Sequence, residues 1–514
     1  MMHQTIRKYS ILIFAILAIA VSAVKITAQD ADAKQTPSTN QANSAVNVLF
    51  IAVDDLRPEL GCYGTRHAIS PHLDRFAEQA VLFENHFVHV PTCGASRYAL
   101  LTGRSPMHSG VLGNAAFYKG SQKLQADRQP SAQTFPELFR RNGYRTVCIG
   151  KISHTPDGKV FEYDNSGDGR PELPHAWDEL ATPYGDWKRG WGTFFAYQGG
   201  RHREDGNGNK DLMEFVAETD DDLPDGMMAT TAIEKLKQLK QARQETGQPF
   251  MMGLGFFKPH LPWVATRDDW EAFDDVDIEL PTQPDKLDAL SWHRSGEFYK
   301  YDMSLKKERP LSIADQLTAK RAYLACVRYV DRQIGRVLDS LDQLELADNT
   351  IVVIWGDHGW HLGESAIWGK HTLFDRSLRS VLMVRAPGVS RAGHRCAELV
   401  ETIDLYPTLI DLGGLKDTAT TFELDGTSLR GLLQGDETPI RNVSLSFMGG
   451  SFSARSRTHR YTARSTKYPS TQAEWDAITD QELYDLSAGC DPVQNLLPNQ
   501  QVLAEFLKTL PGKE

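Results

Sequence analysis

The chain has 514 residues, of which 41% are hydrophobic and 24% are charged, and its formal net charge is −11. This length accommodates one large globular domain and a smaller one. The acidic balance argues against a general nucleic-acid-binding or anionic-membrane-binding protein, which would need a basic face. A small anionic substrate stays possible, because a locally basic pocket can lie inside an acidic protein.

The N-terminus has the pattern of an export signal. A basic pair precedes the apolar run 11–24, which is short for a membrane span. We therefore predict a signal peptide over residues 1–28, cleaved after Ala23 or Ala28, with an uncleaved anchor as the alternative. Residues 29–46 are polar and aperiodic and are predicted to be a flexible leader. The mature protein is then expected in the periplasm or outside the cell, without stable membrane insertion.

Four short apolar runs predict buried strands, and two amphipathic stretches between them predict helices. The runs are continuous, bulky or β-branched, and bounded by polar residues, at 48–53, 146–149, 250–257 and 351–355. The helical stretches are 225–244 and 313–344. Strands that alternate with helices predict an α/β fold, with a large sheet sandwiched by helices.

The character of the sequence changes after about residue 435. Short strand-like runs follow at 443–447, 461–463 and 482–486. We therefore predict a main domain over residues 47–435 and a smaller C-terminal α+β subdomain over residues 436–514.

Polar residues follow all four predicted strands, at the positions where each apolar run ends. Because active sites of such sheets lie at the carboxyl ends of the strands, we expect these side chains to converge. They are Asp54 and Asp55, Lys151, His260, and Asp357 with His358.

Two of these strand ends are acidic, which points to a cation. The adjacent carboxylates of Asp54 and Asp55 are costly beside a buried strand unless a cation neutralises them. Asp357 and His358 add a second acidic strand end, and oxygen-rich clusters suit Ca²⁺ or Mg²⁺. A polar turn with one inward carboxylate is the alternative for the aspartate pair, and histidine is a less typical calcium ligand.

The segment 91–104, PTCGASRYALLTGR, carries the most specific pattern in the chain. It resembles the signature of the type I sulfatases, C-x-[P/A]-S-R followed by L-T-G-R, with Ala95 where proline is commoner. The stretch 356–364, GDHGWHLGE, with a following WGK that ends at Lys370, is similar to the second signature of that family. The histidine at position 358 resembles the iduronate-2-sulfatase branch. The resemblance covers about residues 45–500.

The resemblance implies an alkaline-phosphatase-like sulfatase fold with a large mixed sheet, and a modified active-site residue. Cys93 would be oxidised to formylglycine by a formylglycine-generating enzyme, and the resulting aldehyde would be the source of the nucleophile. One divalent metal ion per subunit, most consistent with Ca²⁺, would be bound by a set that includes the modified residue. That set is Asp54, Asp55, Cys93, Asp357 and His358.

The resemblance also implies roles for five further residues. Lys151 and Lys370 would bind sulfate, and Arg97 would hold the modified residue and neutralise charge. His154, in a G-K-x-x-H pattern, would remove a proton, and His260 would protonate the leaving alcohol. A helix from about residue 96 to residue 102 would direct its N-terminus at the bound anion.

Substrate choice is the least determined property of the sequence. The stretch 184–205 is rich in aromatic and basic residues, which suits either a sugar-binding surface or an apolar mini-core with a charged rim. We expect a sulfated polysaccharide or oligosaccharide as the substrate and a formylglycine-generating enzyme as the maturation partner, with an aryl sulfate as the simpler substrate. The alternatives are a phosphodiester or phosphonate monoester hydrolase of the same superfold, and a non-catalytic sulfoglycan-binding protein.

Overall fold

The structure is a computed structural model that describes residues 45–302, 311–487, 489, 491, 495–497 and 499–511. The predicted signal peptide, and all but the last two residues of the predicted leader, lie outside this part of the chain. Among the helices within it, none has the length and apolar character needed to cross a membrane.

The described residues form strands that belong to one large sheet and several small ones. In chain order the strands are β1 (Asn47–Val53), β2 (Val81–Phe87), β3 (Arg145–Gly150), β4 (Lys159–Phe161), β5 (Gly167–Pro171), β6 (Glu179–Leu180), β7 (Met213–Ala217), β8 (Phe250–Phe256), β9 (Trp263–Thr266), β10 (Thr350–Gly356), β11 (His361–Leu362), β12 (Trp368–Gly369), β13 (Leu382–Arg385), β14 (Arg395–Glu401), β15 (Ser444–Met448), β16 (Ser451–Arg455), β17 (His459–Arg464) and β18 (Gln481–Asp485).

The α-helices range from single turns to a helix of 31 residues. In chain order they are α1 (Pro71–Ala77), α2 (Cys93–Thr102), α3 (Pro106–Ser109), α4 (Phe135–Arg141), α5 (Gly190–Phe194), α6 (Pro224–Thr246), α7 (Arg267–Glu271), α8 (Ile313–Gln343), α9 (Asp375–Leu378), α10 (Leu405–Gly413), α11 (Arg430–Leu433), α12 (Gln472–Asp476) and α13 (Gln500–Leu507).

The large sheet has eight strands in the order β14-β2-β13-β10-β1-β8-β3-β6. The four strands predicted from the sequence, β1, β3, β8 and β10, are neighbours at its centre and run parallel to one another. Strand β13 pairs antiparallel with both β10 and β2, so the sheet is mixed. The carboxyl ends of the four central strands therefore meet at one edge.

Strand β1 shows why these runs form the centre of the molecule. All seven of its residues are buried, and their side chains alternate between two hydrophobic clusters. Leu49 and Ile51 face a cluster that includes residues of α6 and α8, whereas Val48 and Phe50 face a cluster with residues of α2, α4 and α10. A strand covered on both faces needs apolar side chains at every position, which confirms the predicted sandwich of helices.

The C-terminal part of the chain forms a separate four-stranded antiparallel sheet, β15-β16-β17-β18. It has its own hydrophobic cluster, which includes Phe452, Trp475 and Leu503. The three strand-like runs predicted after residue 435 correspond to β15, β17 and β18. Strand β16 was missing from the prediction.

Candidate active site

The parallel strands bring the predicted polar residues to one place. Asp54 and Asp55 follow β1, Lys151 follows β3, and Asp357 follows β10 directly. The backbone N–H of Asp55 donates to Asp357 Oδ1 at 3.0 Å, which joins the ends of β1 and β10. The loop after β8 adds His260, so all four predicted strand ends meet there.

Cys93 lies at the centre of this group and is buried. Its thiol donates to Asp54 Oδ1 at 3.5 Å, and its Sγ lies 3.3 Å from His358 Nε2. Lys370 Nζ donates to the same Sγ at 3.3 Å. The thiol faces a cavity of about 220 Å³ that is also lined by Lys151, His154, His260 and Lys370. Burial, followed by the charge of Asp54, raises the pKa of the Cys93 thiol to about 12.

Helix α2 begins at Cys93 itself, three residues before the predicted start at residue 96. The Gly94 N–H, which has no partner within the helix, donates to Asn114 Oδ1 at 2.9 Å. A Cβ at Gly94 would lie 2.3 Å from the Asn114 carbonyl oxygen, so only glycine fits this turn. The tight first turn places residue 93 at the helix N-terminus, where free N–H groups favour an anion.

The donor set fits a divalent cation. Ligand atoms of Asp54, Cys93, Asp357 and His358 all lie within 4.8 Å of one another, and so do those of Asp54, Asp55, Cys93 and His260. Asp55 Oδ2 is buried and has no hydrogen-bond partner within the described part of the chain. Burial raises the pKa of Asp55 above its usual range, and Lys370 and His358 oppose that shift.

Arg97 lies behind the cavity and contacts the carboxylates. Its Nε donates to Asp357 Oδ2 at 3.0 Å, and one Nη donates to Asp54 Oδ2 at 3.4 Å. The other Nη donates to the carbonyl oxygens of Lys151 and Ile152. The guanidinium is fully buried, so its contacts are to the protein and not to the cavity.

Lys151 follows a glycine that has a left-handed backbone conformation. Gly150, the residue before it, has φ of 72°, and a Cβ there would lie 2.1 Å from the Gly255 carbonyl oxygen. The Lys151 ammonium forms an ion pair with Asp54 Oδ2. Burial alone would lower the pKa of Lys151, but Asp54 outweighs it, so the pKa is raised. Lys151 is therefore a cation at the cavity.

His154 is the imidazole with the fewest contacts in the group. It lines the cavity, its Nδ1 has no hydrogen-bond partner among the described residues, and its ring packs edge-on against Trp191 at 5.7 Å. Burial, followed by the charge of Lys151, lowers its pKa well below the usual range. The ring is therefore neutral near pH 7.

His260 is held on both sides. Its Nδ1 lies 2.6 Å from the Leu261 carbonyl oxygen, and its Nε2 lies 3.1 Å from Glu297 Oε1. Lys258 Nζ donates to the carbonyl oxygens of His260 and Pro262, at 3.0 and 2.5 Å, which fixes the loop. Burial, followed by the charge of Lys370, lowers the pKa of His260 to about 4, whereas Glu297 opposes that shift.

Lys370 connects the two halves of the group. Its Nζ donates to Asp55 Oδ1 at 2.9 Å and lies 3.4 Å from Glu297 Oε2. Burial alone would lower the pKa of Lys370, but Asp55 and Cys93 outweigh it, so the pKa is raised well above its usual value. The ammonium therefore stays charged between the predicted metal ligands and the cavity.

All ten residues predicted from the sequence lie in this one group, and Glu297 was missed. Glu297 lies in the long connection between α7 and α8, where the sequence has neither a periodic pattern nor a motif that could have identified it. The stretch 184–205 contributes Trp191, Phe194, Phe195 and Arg203 to the cavity wall. The three aromatic rings also pack against one another, so the mini-core and the cavity wall are the same residues.

Comparisons with known proteins identify relatives across most of the chain. Residues 46–415 match the sulfatase family, and residues 363–511 match the family described as N-sulphoglucosamine sulphohydrolase, C-terminal. An iduronate 2-sulfatase of Mus musculus is 30% identical over 411 residues, which cover 73% of this chain and 70% of that protein. A sulfatase of Formosa agariphila is 31% identical over 411 residues, which cover 76% of this chain and 73% of that protein.

Solved structures agree in fold. A candidate sulfatase from Bacteroides fragilis has a TM-score of 0.67 at 22% identity, covering 94% of this chain and 95% of that chain. A phosphonate monoester hydrolase from Silicibacter pomeroyi has a TM-score of 0.64 at 22% identity, covering 90% and 96%. At this identity the likeness concerns the fold alone. It confirms the predicted alkaline-phosphatase-like architecture with a smaller C-terminal subdomain.

Proposed function

This chain belongs to the sulfatase family of sulfuric ester hydrolases, in its iduronate-2-sulfatase-like branch, and from that premise we propose its substrate, its cofactors and its site. We propose an exported enzyme that hydrolyses a sulfate ester on a sugar of a sulfated polysaccharide or oligosaccharide. The reaction would use residue 93 in its formylglycine form and one bound divalent cation, most consistent with Ca²⁺. The signal-like pattern in residues 1–28 supports export.

The observation that carries this proposal is the surroundings of Cys93. Its Sγ lies within 3.5 Å of a carboxylate of Asp54, an imidazole of His358 and the ammonium of Lys370, at the floor of a cavity. A buried structural thiol would be surrounded by apolar side chains. Charged and metal-ligating partners instead support a reacting residue, and its place at the N-terminus of α2 supports an anionic substrate.

Two groups would complete the site. Formylglycine, formed from Cys93 by a formylglycine-generating enzyme, would supply a nucleophilic hydroxyl when its aldehyde is hydrated. A divalent cation held by Asp54, Asp55, Asp357, His358 and residue 93 would polarise the sulfuryl oxygens. The buried Oδ2 of Asp55, which has no hydrogen-bond partner in the described part of the chain, supports this cation, and so do two overlapping groups of ligand atoms that share Asp54 and Cys93.

The remaining residues would bind the sulfate and move protons. Lys151 and Lys370, both charged and lining the cavity, would hold the sulfuryl oxygens. His260 would donate a proton from Nε2 to the leaving oxygen as an imidazolium, because its Nδ1–H is already used in the contact with the Leu261 carbonyl oxygen. Glu297 and the bound anionic ester would both favour that charged form, against the burial and the Lys370 charge that lower its pKa. The neutral His154 would accept a proton when sulfate is released. We propose that Arg97 acts through the carboxylates of Asp54 and Asp357, because it is buried behind them.

The proposed sugar substrate rests on the cavity wall and on relatives. Tyr163, with 44% of its surface exposed, offers aromatic surface at the cavity, and Arg203 and Lys300 add two cations. Aromatic rings can stack on sugar faces, and cations can bind a carboxylate or a second sulfate. Relatives named iduronate 2-sulfatase and N-acetylgalactosamine-6-sulfatase support a sulfated sugar.

The proposal is tested by assaying sulfate and phosphate release from matched esters. Wild-type protein from a host able to oxidise the cysteine should release sulfate from sulfated disaccharides, and Cys93→Ala should release none. Mass spectrometry of the tryptic peptide that contains residue 93 should show the aldehyde or its hydrate. An unmodified thiol in active protein would overturn the nucleophile, and preferential phosphate release would favour a phosphodiester or phosphonate monoester hydrolase. Glycan binding without hydrolysis would favour the non-catalytic alternative.

A further inference from the structure

Glu297 contributes the acidic side chain among the residues that line the cavity, and in the proposed chemistry it acts only through the charge of His260. Its Oε1 lies 3.1 Å from His260 Nε2, and its Oε2 lies 3.4 Å from Lys370 Nζ. One carboxylate therefore contacts the proposed proton donor and a proposed sulfate-binding cation. A carboxylate repels an anionic substrate, so its place in this cavity must be explained by its contacts with protein residues.

The backbone on both sides of Glu297 is anchored. Phe298 is fully buried, and its ring lies 5.7 Å from Trp263 and stacks on Trp368 at 5.4 Å. Ser295 is also buried, and its Oγ accepts a hydrogen bond from the backbone N–H of Lys370 at 3.1 Å. Glu297 is thus held between two buried residues. One of them, Ser295, is hydrogen-bonded to Lys370, which the Glu297 carboxylate contacts.

Glu297 also fixes the direction of the His260 ring. The Nδ1 of His260 already contacts the Leu261 carbonyl oxygen at 2.6 Å, so Glu297 holds the opposite nitrogen, which faces the cavity. Phe194 packs against this ring at 4.5 Å, and the charged groups around it are Glu297, Lys370, Asp54 and Asp55. Glu297 Oε1 lies 3.1 Å from Nε2, the atom from which a proton would leave, whereas Asp55 Oδ2 lies 4.0 Å from it. Burial opposes ionisation of Glu297, but Lys370 and His260 outweigh it and hold its pKa well below the usual range.

We propose that Glu297 is a positioning residue that aims His260 Nε2 and Lys370 Nζ at the sulfate ester. The inference rests on the proposed function, because it assigns Glu297 a task in proton delivery to the leaving oxygen. Without the carboxylate, the imidazole keeps its Nδ1 contact to the Leu261 carbonyl oxygen but loses the contact that holds Nε2, and the ammonium loses its contact to Glu297 Oε2. Proton delivery then suffers more than sulfate binding, since Asp55 still holds Lys370.

The dependence of rate on the leaving group distinguishes this role from a structural one. Poor leaving groups need a proton from the enzyme, whereas 4-nitrophenolate departs readily without one. We expect Glu297→Gln to lower kcat about 10- to 100-fold for 4-methoxyphenyl sulfate but only a few-fold for 4-nitrophenyl sulfate. A plot of log(kcat/KM) against the pKa of the leaving phenol should therefore be steeper for the variant than for wild type.

The experiment uses full-length protein in which residue 93 is shown by mass spectrometry to be equally modified in all variants. Glu204→Gln is the matched control, because Glu204 pairs with the cavity residue Arg203 at 2.7 Å, whereas the carboxylates that pair with His260 are those of Glu297 and Asp55. Its plot should run parallel to that of wild type. Thermal unfolding of Glu297→Gln and Glu297→Asp checks the fold, and Glu297→Asp should recover part of the lost rate.

The possible results separate the two proposals. A steeper plot for Glu297→Gln with an unchanged unfolding midpoint supports the positioning role. Parallel plots, with equal losses for every ester or with none, overturn it and leave the sulfatase activity standing. Wild-type protein that carries the modified residue and hydrolyses none of these esters and no sulfated disaccharide overturns the proposed function, and the positioning role with it.

Discussion

The Nε of Arg97 donates to Asp357 Oδ2 at 3.0 Å, and neither side chain is exposed to solvent. The same guanidinium also reaches Asp54 and the carbonyl oxygen of Lys151. Helix α2 is thereby tied to the ends of β1, β3 and β10 by one planar group. Five donors in a fixed plane suit this task, and the single ammonium of a lysine does not.

We expect Arg97→Lys to destabilise the protein and to weaken metal binding. Lysine keeps the charge but offers one ammonium in place of a planar set of five donors, so the hydrogen bonds to two buried carboxylates are lost or weakened, at roughly 1.5–3 kcal/mol for each. Urea unfolding measures the stability, and calorimetric titration with Ca²⁺ measures the affinity. Arg104→Lys, at the partly exposed end of the same motif, should change both little, because Arg104 contacts Gln122 and the His108 carbonyl oxygen instead. Equal effects of the two substitutions would contradict the prediction.

Removal of a bound metal ion should lower the thermal stability of the protein. Lys151, Lys370 and Arg97 neutralise these carboxylates in part, but the buried Oδ2 of Asp55 has no hydrogen-bond partner in the described part of the chain. A divalent cation would therefore add to their neutralisation. A ligand present at ~100 times its Kd stabilises the folded state by about 2.7 kcal/mol. Chelation should therefore lower Tm, and Ca²⁺ should restore it more fully than Mg²⁺. In Asp55→Asn the response of Tm to added Ca²⁺ should be reduced, whereas an unchanged Tm of wild type on chelation would argue against the metal.

The variant Gly150→Ala should be less stable than the variant Gly143→Ala. Gly150 has φ of 72° and a Cβ there would lie 2.1 Å from the Gly255 carbonyl oxygen, next to Lys151. Gly143 has φ of 85°, and its Cβ would meet no atom within 4 Å. Gly143→Ala should cost about 1–2 kcal/mol from the left-handed backbone alone. Gly150→Ala adds a steric clash, so its loss of unfolding free energy and of sulfatase activity should be larger.

The central strands were predictable because each is buried on both faces. Strand β1 has no polar residue between Val48 and Val53, and strands β3, β8 and β10 are also mainly apolar. The observed ends of all four strands therefore lie within about one residue of the predicted ends. Strand β16 has polar residues inside, because Ser453 and Arg455 are buried, with Arg455 donating to Asp375 Oδ2 at 3.0 Å. A prediction based on hydrophobicity alone cannot detect a strand whose buried side chains include polar residues and ion pairs.

The site also contains residues that the sequence predicts and residues that it does not. Ten of its residues follow strand ends or lie in short motifs, where the chain order itself carries the signal. Glu297 reaches His260 and Lys370 only through the folding of a long irregular connection. The start of α2 at Cys93 was also missed, since it depends on the contact of Gly94 with Asn114 twenty residues away. Contacts between distant segments are the part that local sequence cannot provide.

Glu401 should make stability depend on pH in the acid range. It is buried at the end of β14, its Oε2 lies 3.2 Å from Arg441 Nε, and its Oε1 accepts from the Leu445 N–H at 2.8 Å. Burial opposes ionisation, but Arg441 and His89 outweigh it and lower the pKa of Glu401 to about 2. In the unfolded chain the same group titrates near ~4.3. The folded state therefore prefers the ionised form.

The sign of the effect follows from this order of the two pKa values. The stabilisation by Glu401 is complete above the unfolded value and is lost as pH falls from about 4.3 towards 2, because the unfolded chain takes up the proton first. The loss is roughly 3 kcal/mol at most, from the size of the shift. Urea unfolding at a series of pH values should show a shallower acid slope for Glu401→Gln than for wild type. Glu474→Gln is the control: its pKa is also lowered to about 2, but through a surface contact with Lys467 that solvent screens, so the wild-type slope should persist. Equal slopes for wild type and Glu401→Gln would contradict the assignment.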